Sequence, residues 1–465
     1  MNMINVRRLT VMTFLGAGMP SGISAQVSPL QVDTLKETKI PDQWDLQSCI
    51  DYAKEQNITI RKNRITAVST QIDVKTAKAA LFPSLSFSTG HQVVNRPYQE
   101  TSSRVSGSEI ISSNSKTSYN GNYGLNASWT LYNGNKRLKT IQQEKLNNQM
   151  AELDVATSEN NIQESIAQVY IQILYAAESV KVNENTLQVS IAQRDRGQEL
   201  LNAGSIAKSD LAQLEAQVST DRYQLVTAQA TLEDYKLQLK QLLELDGENE
   251  MNIYLPALSD ENVLAPLPTK RDVYISALSL RPEIEASKLN VEASELGINI
   301  AKSSYFPTIS LSAGIGTNHT SGSDFTFGEQ VKNGWNNSIG LSVSVPIFNN
   351  RQTKSAVQKA KLQYETSMLS LLDEQKALYK TIESLWLDAN SAQQRYAAAN
   401  EKLKSTQISY ELISEQFNLG MKNTVELLTE KNNLLQAQQE QLQAKYMAIL
   451  NTQLLKFYQG DQLAL

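Results

Sequence analysis

Ten residues, LFPSLSFSTG at 81–90, return as YFPTISLSAG at 305–314, so Phe82-Pro83 and Phe306-Pro307 stand 224 positions apart. The same spacing carries Ala53 onto Ala277, Ile60 onto Ile284 and Ala77-Lys78 onto Ala301-Lys302. Farther along the spacing becomes 216, with TLYNGN (130–135) on PIFNNR (346–351) and LNAG (201–204) on FNLG (417–420). A period this long marks one supersecondary unit used twice. Each unit reads helix, strand, loop, strand, long helix, turn, long helix. The shift of 8 positions lies between the two strands, where a loop absorbs an insertion.

The 465 residues are therefore expected to form one body of two similar halves. The expected bounds are 26–245 for the first repeat, 246–270 for a Pro-containing connector packed on the outside of the helices, and 271–458 for the second repeat. A short tail follows at 459–465. Residues 1–25 read as a secretory signal, with Arg7-Arg8 ahead of the apolar LTVMTFLGAG and a cleavage site after Ala25. Residues 26–43 read as a flexible lead. The net charge of −5 becomes −7 without the two leader arginines, a balance that gives no support to nucleic-acid binding. No later run of about 18 apolar residues exists, so a spanning helix is not expected. Cys49, the single cysteine, excludes an intrachain disulfide and is expected as a small packed residue.

Helix signals begin at WDLQSCIDYAKEQNITIRKN (44–63), place Leu46, Ile50 and Ala53 on one face, and are expected to run on to Ala80, before Pro83. The period then drops to two. Ser84, Ser86 and Ser88 alternate with Leu85 and Phe87; Ser310, Ser312 and Gly314 alternate with Ile309, Leu311, Ala313 and Ile315. The partner strands set Tyr123, Leu125, Ala127, Trp129 and Leu131, then Ile339, Leu341, Val343, Val345 and Ile347, against small polar residues. Four such strands fit the tilted strands of a membrane barrel, and a half-buried soluble sheet yields the same alternation. The intervening stretches, 96–118 and 317–335, read as long loops, and His91 and His319 in or near them as isolated surface residues rather than ligands.

From Lys136 to Leu200 there is no proline and the one glycine is Gly197, so a helix on the order of 100 Å is predicted. Its return carries Leu211, Val218, Leu225, Leu232 and Leu239; the second return carries Leu428, Leu435, Leu442 and Ile449. Sustained sevens predict coiled-coil packing. Gly204 and Gly420 supply the left-handed residue that ends a helix. Four strands cannot close a barrel, for which about eight is the practical minimum, and open edges are not tolerated in lipid. Closure therefore demands self-association: two copies give eight strands with a filled interior, three give twelve with room for a channel.

The duplicated helix, Phe-Pro and strand, the Asn-x-Gly turns followed by Asp210-Leu211 and Glu426-Leu427, and the opening WDLQSCIDYA resemble the TolC-like outer membrane efflux proteins over nearly the whole mature chain. The resemblance implies an α+β membrane protein: a homotrimer with a 12-stranded transmembrane β-barrel, four strands per protomer, above a tunnel of α-helical hairpins in the periplasm. It implies a passive exit duct that docks by its tips onto a periplasmic adaptor and an inner-membrane pump. In that reading Ala203, Gly204, Ser205, Leu419, Gly420 and Met421 form the adaptor-facing turns. Glu426 narrows the entrance, Thr429 stands where a second carboxylate is usual, and Asp210 latches neighbouring hairpins. The usual Tyr and Arg partners of that latch are Phe417 and Lys422, so a weaker or different latch is expected. A plainer reading makes Asp210 and Glu426 solvated charges at helix starts. No phosphate loop, metal spacing or nucleophile–histidine group stands out, so no enzyme and no cofactor is expected. The rival class is a periplasmic coiled-coil adaptor or scaffold without a membrane barrel; a requirement for detergent separates the two.

Overall fold

The computed structural model describes residues 41–98, 102–106, 109–113, 116–246, 251–256, 263–321, 323 and 325–463. The signal peptide expected at 1–25 and most of the lead lie outside them, as do the last two residues of the tail.

The first helical run is broken where continuity to Ala80 was expected. Helix α1 (Leu46–Gln56) buries Leu46, Cys49, Ile50 and Ala53, and α2 (Ile58–Ala79) starts afresh after Asn57. The Asn57 side chain caps α2, accepting from Thr59 N at 2.9 Å, and donates to the Leu242 carbonyl at 3.0 Å. A side chain that satisfies orphan amides makes the break stable. Cys49 is fully buried, and burial pushes its thiol up to about 12, so it packs as an inert small residue.

Strand β1 (Ser84–Asn95) is followed by a short hairpin, β2 (Ser102–Ser106) with β3 (Glu109–Ser113), and then β4 (Thr117–Asn133). The first loop thus contains regular structure that was not foreseen. After a left-handed pair, Gly134 and Asn135, the chain enters α3 (Lys136–Asn202), 67 residues and about 100 Å long. It returns as α4 (Lys208–Leu242).

The second repeat opens with α5 (Lys270–Leu280) and α6 (Pro282–Ser303). Their break at Arg281 falls 224 positions after Asn57. Strand β5 (Thr308–Thr320), a short helix α7 (Phe327–Asn333) and β6 (Asn336–Ser344) follow. The second expected loop therefore holds the end of a strand and a capped helix. Another left-handed pair, Asn350 and Arg351, leads into α8 (Gln352–Asn418), also 67 residues, and α9 (Thr424–Gln459). β6 stops at Ser344, so Val345 and Ile347 lie beyond it. Pro346, at the repeat position of Thr130, has no amide to continue the ladder.

The four long strands form one antiparallel sheet in the order β1-β4-β5-β6. Its register lines Leu85, Ala127, Ala313 and Ile339 in a row on one face, and Ser86, Asn126, Gly314 and Ser338 on the other. The apolar face is bare: Phe87 is 68% exposed and Ile339 83%. A bulge at Leu131 re-pairs Tyr132 with Ile309, so Leu131 leaves the row where alternation had put it.

The main core lies where α1 and the connector pack on α3 and α9, around Trp44, Tyr170, Leu174 and Leu454. Within the connector, Asn252 accepts from Trp44 N and Tyr254 donates to the Trp44 carbonyl, both at 2.8 Å. In the second repeat Val273 and Ala277 of α5 pack on Leu378 and Ile382. Along the heptad stripes Leu211, Val218, Leu239 and Ile449 are buried, and the others half-buried. No helix among the described residues is long and apolar enough to cross a membrane.

Candidate functional site

Each hairpin turns through the same backbone device. Gly204 (φ +75°) and Gly420 (φ +70°) are left-handed. Ser205 N donates to the Leu200 carbonyl and Met421 N to the Gln416 carbonyl, both at 2.8 Å. Gly204 N and Gly420 N bond Leu201 and Phe417, which completes a Schellman closure at both tips. A Cβ on either glycine would meet open space, so backbone conformation alone demands glycine there.

The return helices start differently. Asn423 accepts from Glu426 N at 2.9 Å while Glu426 accepts from Asn423 N at 3.3 Å, a full capping box. Asp210 holds the same position in the first repeat and accepts from Ala207 N at 3.0 Å, but Ala207 has no side-chain acceptor to reciprocate. Both carboxylates assigned to latch and entrance are thus also caps of their own helices. Lys422 donates to Glu426 Oε1 at 2.7 Å. That bond, then the Asn423 amide, holds the Glu426 carboxyl below its ordinary value. Thr429 is turned to its own helix and donates to the Val425 carbonyl at 2.8 Å.

Phe417 is buried between Leu214 of α4 and Leu427 of α9, an apolar joint between the hairpins just behind the tips. Gln193 donates to Tyr410 Oη at 2.7 Å across the same divide. Beyond it lies a cluster that sequence reasoning missed: Ser190 (α3), Asp221 (α4) and Lys431 (α9), each no more than 3% exposed. Lys431 Nζ donates to both Ser190 Oγ and Asp221 Oδ2, and Ser190 Oγ also donates to Asp221 Oδ2. Gln217 donates to Asp221 Oδ1 at 2.9 Å. Burial pulls the Lys431 ammonium below its ordinary value, and the bond to Asp221 opposes this. The available signal was Asp221 lying seven residues past buried Leu214, a charge on an otherwise apolar seam.

At the far end, Phe82 and Phe306 lie exposed where the Phe-Pro pairs start β1 and β5, and the Arg137 guanidinium binds the Ala80 carbonyl at 2.8 Å. The two histidines expected to be isolated come together across the sheet. His91 Nδ1 lies 2.8 Å from Tyr119 Oη and its Nε2 3.1 Å from Thr89 Oγ1. His319 packs between Tyr123 and Phe327, with ring centres at 5.9 and 5.0 Å.

Two tandem segments, 49–244 and 273–460, match the model of the outer membrane efflux protein family. The chain is 24% identical over 294 residues to the outer membrane efflux protein BepC of Brucella suis, covering 63% of this chain and 61% of that protein. It is also 24% identical over 294 residues to the outer membrane protein TolC of Escherichia coli, covering 61% and 58%. The matches thus span less than two thirds of either relative. Among solved structures, CusC superposes with a TM-score of 0.76 at 19% identity, over 90% of this chain and 92% of that one. That likeness shows the fold; with both repeats matched in register, the chain belongs to the outer membrane efflux protein family.

Proposed function

We propose that three copies of this chain close one 12-stranded barrel in the outer membrane and act as a passive exit duct. The observation that carries it is the sheet. Its apolar face is bare, and β1 and β6 each have a partner on one side only among the described strands. Hydrocarbon cannot hydrate an open edge, so β1 of one copy pairs with β6 of the next until the sheet closes. The same rotation gathers the hairpins into a tunnel on the order of 100 Å long.

The exposed turns, Ala203-Gly204-Ser205 and Leu419-Gly420-Met421, then meet a periplasmic adaptor that bridges to an inner-membrane pump. Leu419 is 74% and Met421 70% exposed, a suitable seat for apolar adaptor residues. Glu426 lines the entrance, and the Lys422 pair partly neutralises its ring. Asp210 and Phe417 serve the closed state, Phe417 through the apolar joint rather than a hydrogen bond.

The test is particle mass in detergent, followed by single-channel recording. A trimer extracted from the outer membrane and conducting ions is expected. A monomer released without detergent overturns the duct in favour of a periplasmic scaffold. In the duct, Lys422→Ala should raise preference for cations and Glu426→Ala lower it, read from reversal potentials across a salt gradient.

A further inference from the structure

The helices nearest the sheet repeat its order. Helix α2 packs on α3, α3 on α6 and α6 on α8, so α2 and α8 end the row as β1 and β6 end the sheet. The two edges are also joined by the chain. Helix α2 leads into β1 through residues 80–83, and α8 starts eight positions after β6 stops.

Both end helices are apolar on the side away from the row. Toward α3, α2 turns the buried Ile60 and Val74, together with Thr70, which donates to Asn148 at 3.2 Å. Ile58, Ile65 and Ile72 recur every seven residues, and Ile58 and Ile72 stand two positions before Ile60 and Val74. Two positions are about 200° of helix, so this stripe faces away from α3. Its middle residue, Ile65, is 55% exposed. Helix α8 has the same arrangement. Ser367 is buried on α6, bonded to Ser294 at 2.8 Å, and two positions on Leu369 is 67% exposed. Leu362, a heptad earlier, is exposed as well. Such a bare heptad stripe is half of a coiled-coil seam.

We propose that the α2 stripe of one copy and the α8 stripe of the next form an antiparallel seam, with Ile65 opposite Leu369. This rests on the closure proposed for the sheet and adds a contact outside it. Pairing β1 of one copy with β6 of the next brings α2 beside the next copy's α8. Because α2 runs toward the sheet and α8 away from it, they meet antiparallel. In this register Ile72 falls opposite Leu362. Arg61 and Asp373, each one turn farther from the sheet, also fall opposite one another. Apolar and charged positions thus agree on one alignment. A heptad shift one way sets Ile72 against Ser355 and Arg61 against Thr366; the other way sets Ile65 against Lys376 and Arg61 against Lys380. The seam closes the tunnel wall between copies where the strands close the barrel.

The test is disulfide formation in outer membranes, in a Cys49→Ala background that removes the single native thiol. Within one copy the stripes are three helix spacings apart, roughly 27 Å, so a bond between them must join two copies. Ile65→Cys with Leu369→Cys is expected to give covalent dimer and trimer on oxidation. Ile65→Cys with Leu362→Cys, about 10 Å out of step, should give at least tenfold less. Should the first pair fail to reach the membrane, Ile72→Cys with Leu362→Cys reads the same register. Arg61→Asp and Asp373→Arg should each lower the temperature at which trimers dissociate, and together restore it; no recovery overturns the register. Trimers whose cysteine pairs do not link, or link equally in both registers, overturn the seam and leave the duct standing. A monomer in detergent overturns both.

Discussion

At the first tip, Ala203, Gly204 and Ser205 present small and polar surface, and α4 starts from Ala207 with half a capping box. At the second, Leu419, Met421 and Val425 are exposed, α9 starts from Asn423 with a full box, and Lys422 adds an ion pair to Glu426. The turn backbones match bond for bond. Duplication has therefore kept what backbone geometry requires and let the attached chemistry diverge. The second tip gains local order at its helix start together with exposed apolar residues, the combination suited to a contact that must be both placed and sticky. The hairpins are then tied to each other by Phe417 against Leu214 and Leu427, and by Lys431 reaching Ser190 and Asp221. A buried charge pair is weak evidence of net stability, but its loss on one side is costly.

The largest effect is expected there. Lys431→Met strands Asp221 in a dry seam and should cost about 3–5 kcal/mol, read as a fall in the thermal midpoint. Adding Asp221→Leu should recover most of it. If the double variant is no better than the single, the cluster is not a coupled pair. Next come the glycines: Gly204→Ala and Gly420→Ala should each cost about 1–2 kcal/mol of left-handed strain. Because both sites are open, the two costs should agree, and unequal losses would break the equivalence of the turns. Asn423→Ala should cost about 1 kcal/mol, whereas Ala207→Asn should stabilise α4 by a similar amount. Amide exchange at the two helix starts would show whether the asymmetry can be reversed.

The smallest effect is with pH. The Glu426 carboxyl is held below its ordinary 4.5 by Lys422 and the Asn423 amide. Its contribution is present above the unfolded value and disappears as pH falls through the lower, folded one. Amide exchange at the second tip should quicken on acidification, and Glu426→Gln should remove that dependence.

Much of this was legible in the residues. Alternation of serine with leucine and phenylalanine foretold both faces of the sheet, because a strand's period is two whatever it packs on. The proline-free run after Lys136 foretold the long helices, and the paired Asn-x-Gly signals foretold turns that close identically. Local rules also reached Cys49, correctly expected as packed. They failed at Asn57, where a helix is broken by a capping side chain rather than by proline, and at Arg281, which makes no side-chain cap and is followed by Pro282 as the first residue of α6. They failed again in the two loops, whose short hairpin and α7 carry weak patterns.

Periods and backbone preferences within a few residues are enough to specify the duplicated unit, the strand faces, the hairpins and their turns. Which distant side chains meet depends instead on how the elements pack. Ser190 finds Lys431 241 positions away, and His91 leans toward His319 over a glycine on a third strand. Such meetings depend on helix stagger and strand register, quantities set by packing between elements. A one-residue change of register would turn either histidine to the opposite face.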